Sequence, residues 1–304
     1  MTKIRVSLCV GALGMMLALP VVTDADDSVS LSDIDNFSLQ AAPQDDGGAG
    51  AGSGDDGDVE GPVSMRSADV QAQGTFDLKI IADYSTSSDG SDDDIGNRFE
   101  LQWGFMENHE LVLKLPVGYG DGRIEGNGDV SVGWQWKFHE GDGSWMPSIA
   151  LYHEMRLPTG YHSSGHDLEV RGVFTWDVNP GTCRLHLNPF IRFMDTDNLE
   201  TNMSRELESN GASPSEYKNV SGRHFAAGGI IGIDHRLSDT TVINVDYILD
   251  SGRLDGYRMQ HMMEAGMDYK LSDSRMLTWA TRWTMDGDDQ GDNWGLSVGY
   301  IFSF

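Results

Sequence analysis

Beginning at Thr75, the chain alternates apolar and polar residues in successive segments of about ten, the length a tilted strand needs to cross about 25 Å of hydrocarbon. The first segment sets Phe76, Leu78, Ile80, Ala82 and Tyr84 against Asp77, Lys79, Ile81 and Asp83. The second sets Phe99, Leu101, Trp103 and Phe105 against Arg98, Glu100, Gln102 and Gly104. A period of two is incompatible with a helix and places the two sets on opposite faces of a strand. Further rows start at Leu111, Val130, Trp145, Leu168, Cys183, Phe225, Thr241, Tyr257 and Leu277, and the last runs from Trp294 to Phe304, giving twelve strands.

Two regularities join these segments into one closed sheet. The apolar rows hold no Asp, Glu, Lys or Arg, although charged residues make up 23% of the chain. A charge at mid-bilayer would cost about 2 to 4 kcal/mol, so lipid exposure explains the exclusion. The connections alternate in length: short at 107–109, 139–144, 178–182, 235–239 and 271–275, longer at 85–96, 120–128, 158–166, 195–222, 250–256 and 286–293. Short periplasmic turns and long outer loops have this asymmetry, which predicts an even strand number with both termini in the periplasm. Aromatics at both strand ends, among them Phe76, Phe138, Trp145 and Phe304 at one and Tyr84, Phe99, Phe225 and Trp283 at the other, predict two interfacial girdles. The expected fold class is all-β, a transmembrane antiparallel up-and-down β-barrel of about 12 strands over residues 74–304. Pro189 falls inside the seventh strand, where it removes a ladder hydrogen bond, so a bulge is expected near residues 188–190.

The amino end changes the picture in two ways. Lys3 and Arg5, the apolar run from Val6 to Leu19 and the small residues around Ala25 predict a signal peptide over residues 1–25. No stretch supplies the roughly 18 consecutive apolar residues of a transmembrane helix. Residues 26–73 carry eleven carboxylates against the single basic Arg66, with no sustained apolar period, and are expected to form a disordered acidic, Gly-rich periplasmic tail. The formal net charge of -27 argues against nucleic acid as a partner. The expected partners are outer-membrane lipid, the barrel-assembly machinery through the strand ending in Phe304, and a small-molecule solute.

The polar face is charged and nearly balanced in sign. Lys79, Arg98, Glu100, Glu154, Arg156, Glu169, Arg171, Arg192, Asp246, Glu264 and Arg282 are the candidate pore-lining residues. Glu154 and Arg156 are expected beside Glu169 and Arg171 on the next strand, where opposite charges would pair. Twelve strands lie between the filled interior of eight and the open channel of sixteen. Two readings therefore stay open, a narrow polar path for a small solute and a plugged structural barrel that anchors the tail.

From Asn127 to Phe193 the chain resembles the outer-membrane family labelled "MetA-pathway of phenol degradation", a group of barrel transporters. The resemblance rests on Gly128-Asp129-Val130 with Gly133, on Leu157-Pro158-Thr159-Gly160, and on Leu185-His186-Leu187-Asn188. It implies passive passage of small solutes, aromatic or hydrophobic ones included.

Other motifs carry less. Asp286 to Gly291 begins like a calcium loop, but Ser297 stands where the bidentate Glu belongs. An outer-membrane lipid hydrolase would need a His set against a Ser nucleophile. His153 and His261 face lipid in this register with only Thr241 and Thr281 near His261, while His186 and His224 face inward. No catalytic residue, metal ligand or cofactor is therefore expected.

Overall fold

The alternating rows fold as antiparallel strands: β1 (Phe76–Thr86), β2 (Asp93–Met106), β3 (His109–Gly120), β4 (Gly126–Asn127), β5 (Val130–His139), β6 (Ser148–Leu157), β7 (Asp167–Asn179), β8 (Cys183–Met194), β9 (Phe225–Arg236), β10 (Thr241–Asp250), β11 (Gln260–Ser272), β12 (Arg275–Asp286) and β13 (Trp294–Ser303). The computed structural model describes residues 64–86, 93–120, 126–141, 145–160, 163, 165–195, 224–251, 259–286 and 294–304. The signal peptide, residues 26–63 of the expected tail, Tyr257 and residues 287–291 of the calcium-like loop lie outside the described residues.

Each long strand pairs with its neighbours in the chain, β3 reaching past the two-residue β4 to β5. β1 pairs with both β2 and β13, which closes the sheet and leaves twelve spanning strands in an up-and-down barrel. Closure removes every edge, so each central amide finds a ladder partner where no water can serve. Phe304 seals the seam, its N–H donating to the Phe76 carbonyl while the Phe76 N–H donates back. The tight turns lie at the end of the barrel where β1 begins; Asn108 between β2 and β3 (φ 62°) and Gly181 between β7 and β8 (φ 74°) supply the left-handed residues these turns require.

Side-chain parity follows the sequence rows. Along β2, Arg98, Glu100, Gln102 and Gly104 are buried in the interior while Phe99, Leu101 and Trp103 are exposed on the outer surface. Aromatic side chains gather at both ends of the outer face, with Phe76 stacked on Trp103 at the turn end and Phe193 edge-on to Phe225 at the other. Trp145 stands before β6 rather than in it, and its carbonyl accepts from Trp176 Nε1 at 3.0 Å.

Pro189 keeps the expected outward parity, but no bulge forms around it. The β7–β8 ladder pairs Arg171 with Phe190 and resumes at Phe174 with Leu187 in the same register. Glycine lies beside the pyrrolidine on both neighbouring strands, Gly172 on β7 and Gly229 on β9. The chain therefore tolerates one missing donor without inserting a residue.

The expected tail is corrected at its carboxyl-terminal end. Residues 64–73, assigned to it by composition, lie inside the barrel, bonded to the wall through their main chain. Composition misjudges this segment because its docking rests on backbone groups that every residue carries.

Candidate functional site: the lumen and the segment within it

Strand parity brings the candidate residues together on the inner wall. Lys79 faces Glu100 across β1 and β2 (3.2 Å), and Lys114 on β3 reaches Glu154 on β6 (2.7 Å), which also accepts from Tyr152 Oη. Glu169 accepts from Arg171 on its own strand (2.7 Å) and from Arg192 on β8 (3.0 Å), and Arg192 continues to Asp250 on β10 (3.3 Å). Arg282 on β12 binds Glu264 on β11, beside Asp246 on β10. These groups form a belt of both signs around the lumen. In so buried a set, removing a single partner strands the other.

Glu154 and Arg156 on β6 lie beside Glu169 and Arg171 on β7, as expected. The register sets Glu154 opposite Glu169 and Arg156 opposite Asp167. The two glutamates meet their cations on opposite sides, Lys114 for one and Arg192 for the other, while Arg156 bonds Asp167 at 3.5 Å. Arg98 is buried, and its Nε and Nη2, like Asp246 Oδ1, find no hydrogen-bond partner among the described residues. On the closing strand, Ile81 and Thr278 fill the space beside Gly299, and Ser297 Oγ donates to Asp83.

Within the belt lies the segment 64–73. Five of its amide N–H groups donate to wall side chains: Ser64 to Glu264 (2.5 Å), Met65 to Asp246 (2.9 Å), Arg66 to Asn188 (2.7 Å), Ala68 to Thr175 (2.9 Å) and Gln71 to Glu110 (2.9 Å). Its carbonyls accept in turn, Ser64 from Arg171 (3.1 Å), Arg66 from Asn188 Nδ2 (3.1 Å), and both Ser67 and Asp69 from Gln135 Nε2 (2.9 Å each). The wall thus satisfies polar groups that burial would otherwise leave unpaired, at about 1 to 3 kcal/mol each.

Two apolar patches on the inner wall receive side chains of the segment. Ala68, 0% exposed, packs with Val112, Ala150, Tyr152 and Val173. Met65 packs with Phe190, Ile230, Ile248 and Met262, and Gly232 makes room for it, since a Cβ there would stand 2.3 Å from the Met65 sulfur. Between them, Arg66 lies 4.0 Å over the Tyr152 ring and bonds Glu110 (3.2 Å) and Gln135 (3.2 Å). Gly104 lets the segment leave the lumen, because a Cβ there would meet the Ala72 carbonyl oxygen at 2.2 Å.

Glu110, Gln135, Thr175 and Asn188 are the functional residues that the charge pattern passes over. Their inward parity was the available signal. The outward histidines find neighbours other than serine: His261 Nδ1 shares a 2.5 Å hydrogen bond with Tyr247 Oη, and His153 stacks on Trp134. Thr241 pairs with Tyr269 and Thr281 with Ala265, both away from His261. His186 bridges Thr175 (3.1 Å) and Asp234 (3.0 Å) inside the lumen.

Comparison with solved structures places this architecture. An outer membrane channel from Pseudomonas putida F1 superposes with a TM-score of 0.59 at 12% identity, over 80% of this chain and 100% of that one. The fold is that of an outer-membrane barrel. The NanC porin is similar as well, with a TM-score of 0.52 at 10% identity over 74% of this chain and 98% of that porin. No family model matches the chain, and no curated protein matches it in sequence.

Proposed function

We propose that this protein is an outer-membrane channel for the passive passage of small solutes, with both termini on the periplasmic side. One observation carries the reading: the twelve-stranded wall encloses enough room for a stretch of polypeptide, and every long strand turns polar groups toward that room. A wall that filled itself, as eight-stranded barrels do, would leave no such space. The belt of Lys79, Arg98, Glu100, Glu154, Arg156, Glu169, Arg171, Arg192, Asp246, Glu264 and Arg282 is then the pore lining. The channel and the porin of similar fold support the reading. So does the resemblance of residues 127–193 to the "MetA-pathway of phenol degradation" transporters. That resemblance points to aromatic or hydrophobic solutes, whereas the charged belt favours solutes that also carry polar groups.

Liposome swelling tests this. Vesicles holding the barrel without residues 64–71 should admit small sugars and amino acids faster than empty vesicles, and the full chain should fall between. Equal swelling of barrel-containing and empty vesicles would leave the plugged structural barrel as the better reading. Sidedness is checked separately: an epitope inserted into the connection 195–222 should be labelled on intact cells. Labelling only after the outer membrane is permeabilised would reverse the topology.

A further inference from the structure

We infer that the lumen is a binding site for peptide main chain, with residues 64–73 its built-in occupant, and that short peptides are a solute class of this channel; the inference rests on the channel reading. The wall addresses the segment chiefly through its main chain. Five N–H groups and four carbonyls between Ser64 and Gln71 are held by wall side chains. Asn188 is the clearest case: its carboxamide accepts from the Arg66 N–H and donates to the Arg66 carbonyl, the two-point pattern that a neighbouring strand would offer. Gln135 Nε2 donates to the carbonyls of both Ser67 and Asp69, where the segment bends at Ala68. Such groups are indifferent to sequence, so a wall built to hold this backbone holds others.

The side-chain contacts add a simple preference. At the Met65 position the patch around Phe190, Ile230 and Ile248 takes an apolar residue. One residue on, Tyr152 and Glu110 take a cation. Two further on, the position of Ala68 admits only a small side chain, since Val112, Ala150, Tyr152 and Val173 close around it. The preferred ligand is therefore a short peptide reading apolar, cationic, any, small. A cavity of about 290 Å³ beside the segment, lined by Lys79, Glu100, Gln102 and Glu110 among others, gives a second chain or a solute room to approach before the segment leaves.

The test uses two variants, each shown to be folded by heat-modifiable migration. One lacks residues 64–71; the other is the full chain with Met65→Asp and Ala68→Asp, which keeps the wall whole and drives the segment from its two apolar patches. Single-channel currents are recorded with three capped peptides: Ser-Met-Arg-Ser-Ala-Asp, the pattern-matched Ala-Leu-Lys-Gly-Ala-Asn, and the first peptide N-methylated at Met, Arg and the last Ala. Both unmodified peptides should block the current saturably. The methylated one should be weaker by at least about thirtyfold, because three main-chain bonds are lost. Currents that neither unmodified peptide blocks, or that only the first blocks, overturn the peptide class and leave the channel reading standing. Folded variants that pass no current sink the channel reading instead. Binding of the same peptides is then read by calorimetry, where saturable binding of both unmodified peptides keeps the site and its absence removes it.

Discussion

Asn188 shows how much of the lumen's organisation rests on single polar side chains. It holds both main-chain groups of Arg66, and a neutral hydrogen bond of this kind is worth about 1 kcal/mol. Asn188→Ala should therefore loosen the segment by about 2 kcal/mol, or about thirtyfold in the population of its undocked form. A cysteine placed at Ser67 reports this through its rate of modification by a soluble thiol reagent. A rate unchanged by Asn188→Ala would mean that the segment is held elsewhere. Gly232→Ala acts on the same equilibrium from the other side, since the added carbon meets the Met65 sulfur and the segment must yield. Protease cleavage near Met65 should rise in that variant; protection equal to the parent's would contradict the placement of Met65. Parity alone set Glu110, Gln135, Thr175 and Asn188 on the inner face. What they bind was hidden, because Met65 and Ala68 are too few apolar residues to register in an acidic stretch.

The strands were legible because lipid on one side and a polar lumen on the other impose a period of two that no other environment enforces so fully. Rows such as Phe99, Leu101 and Trp103 point outward as the alternation predicts. Substituting Ile231, exposed on the outer face of β9, by Arg should cost about 2 to 4 kcal/mol. Unfolding by urea in lipid vesicles measures it, and a loss below about 1 kcal/mol would place that row away from the hydrocarbon. Pro189 shows where pattern reading stops. The missing donor was evident in the sequence, but its remedy lies in Gly172 and Gly229, which become neighbours only once the register is set. Pro189→Ala restores an N–H opposite a ladder already in register, so stability in the same assay should stay within about 1 kcal/mol of the parent. A larger loss would show that the pyrrolidine itself packs usefully against those glycines.

In the molecule as a whole, a single chain supplies both the wall and what fills it. β1 to β13 enclose a charged lumen, and the residues just before β1 fold back into it through Gly74 and Gly104, whose main chains meet in a 2.6 Å hydrogen bond. As the proposed channel, the barrel passes solute only as far as its own segment allows. Recording single-channel currents in planar bilayers from the full chain and from the chain without residues 64–71 addresses this directly. The shortened barrel should show well-resolved openings several-fold larger than those of the full chain. Equal currents from the two, or silence from a folded shortened barrel, would contradict a lumen that the segment occupies and a solute could otherwise cross.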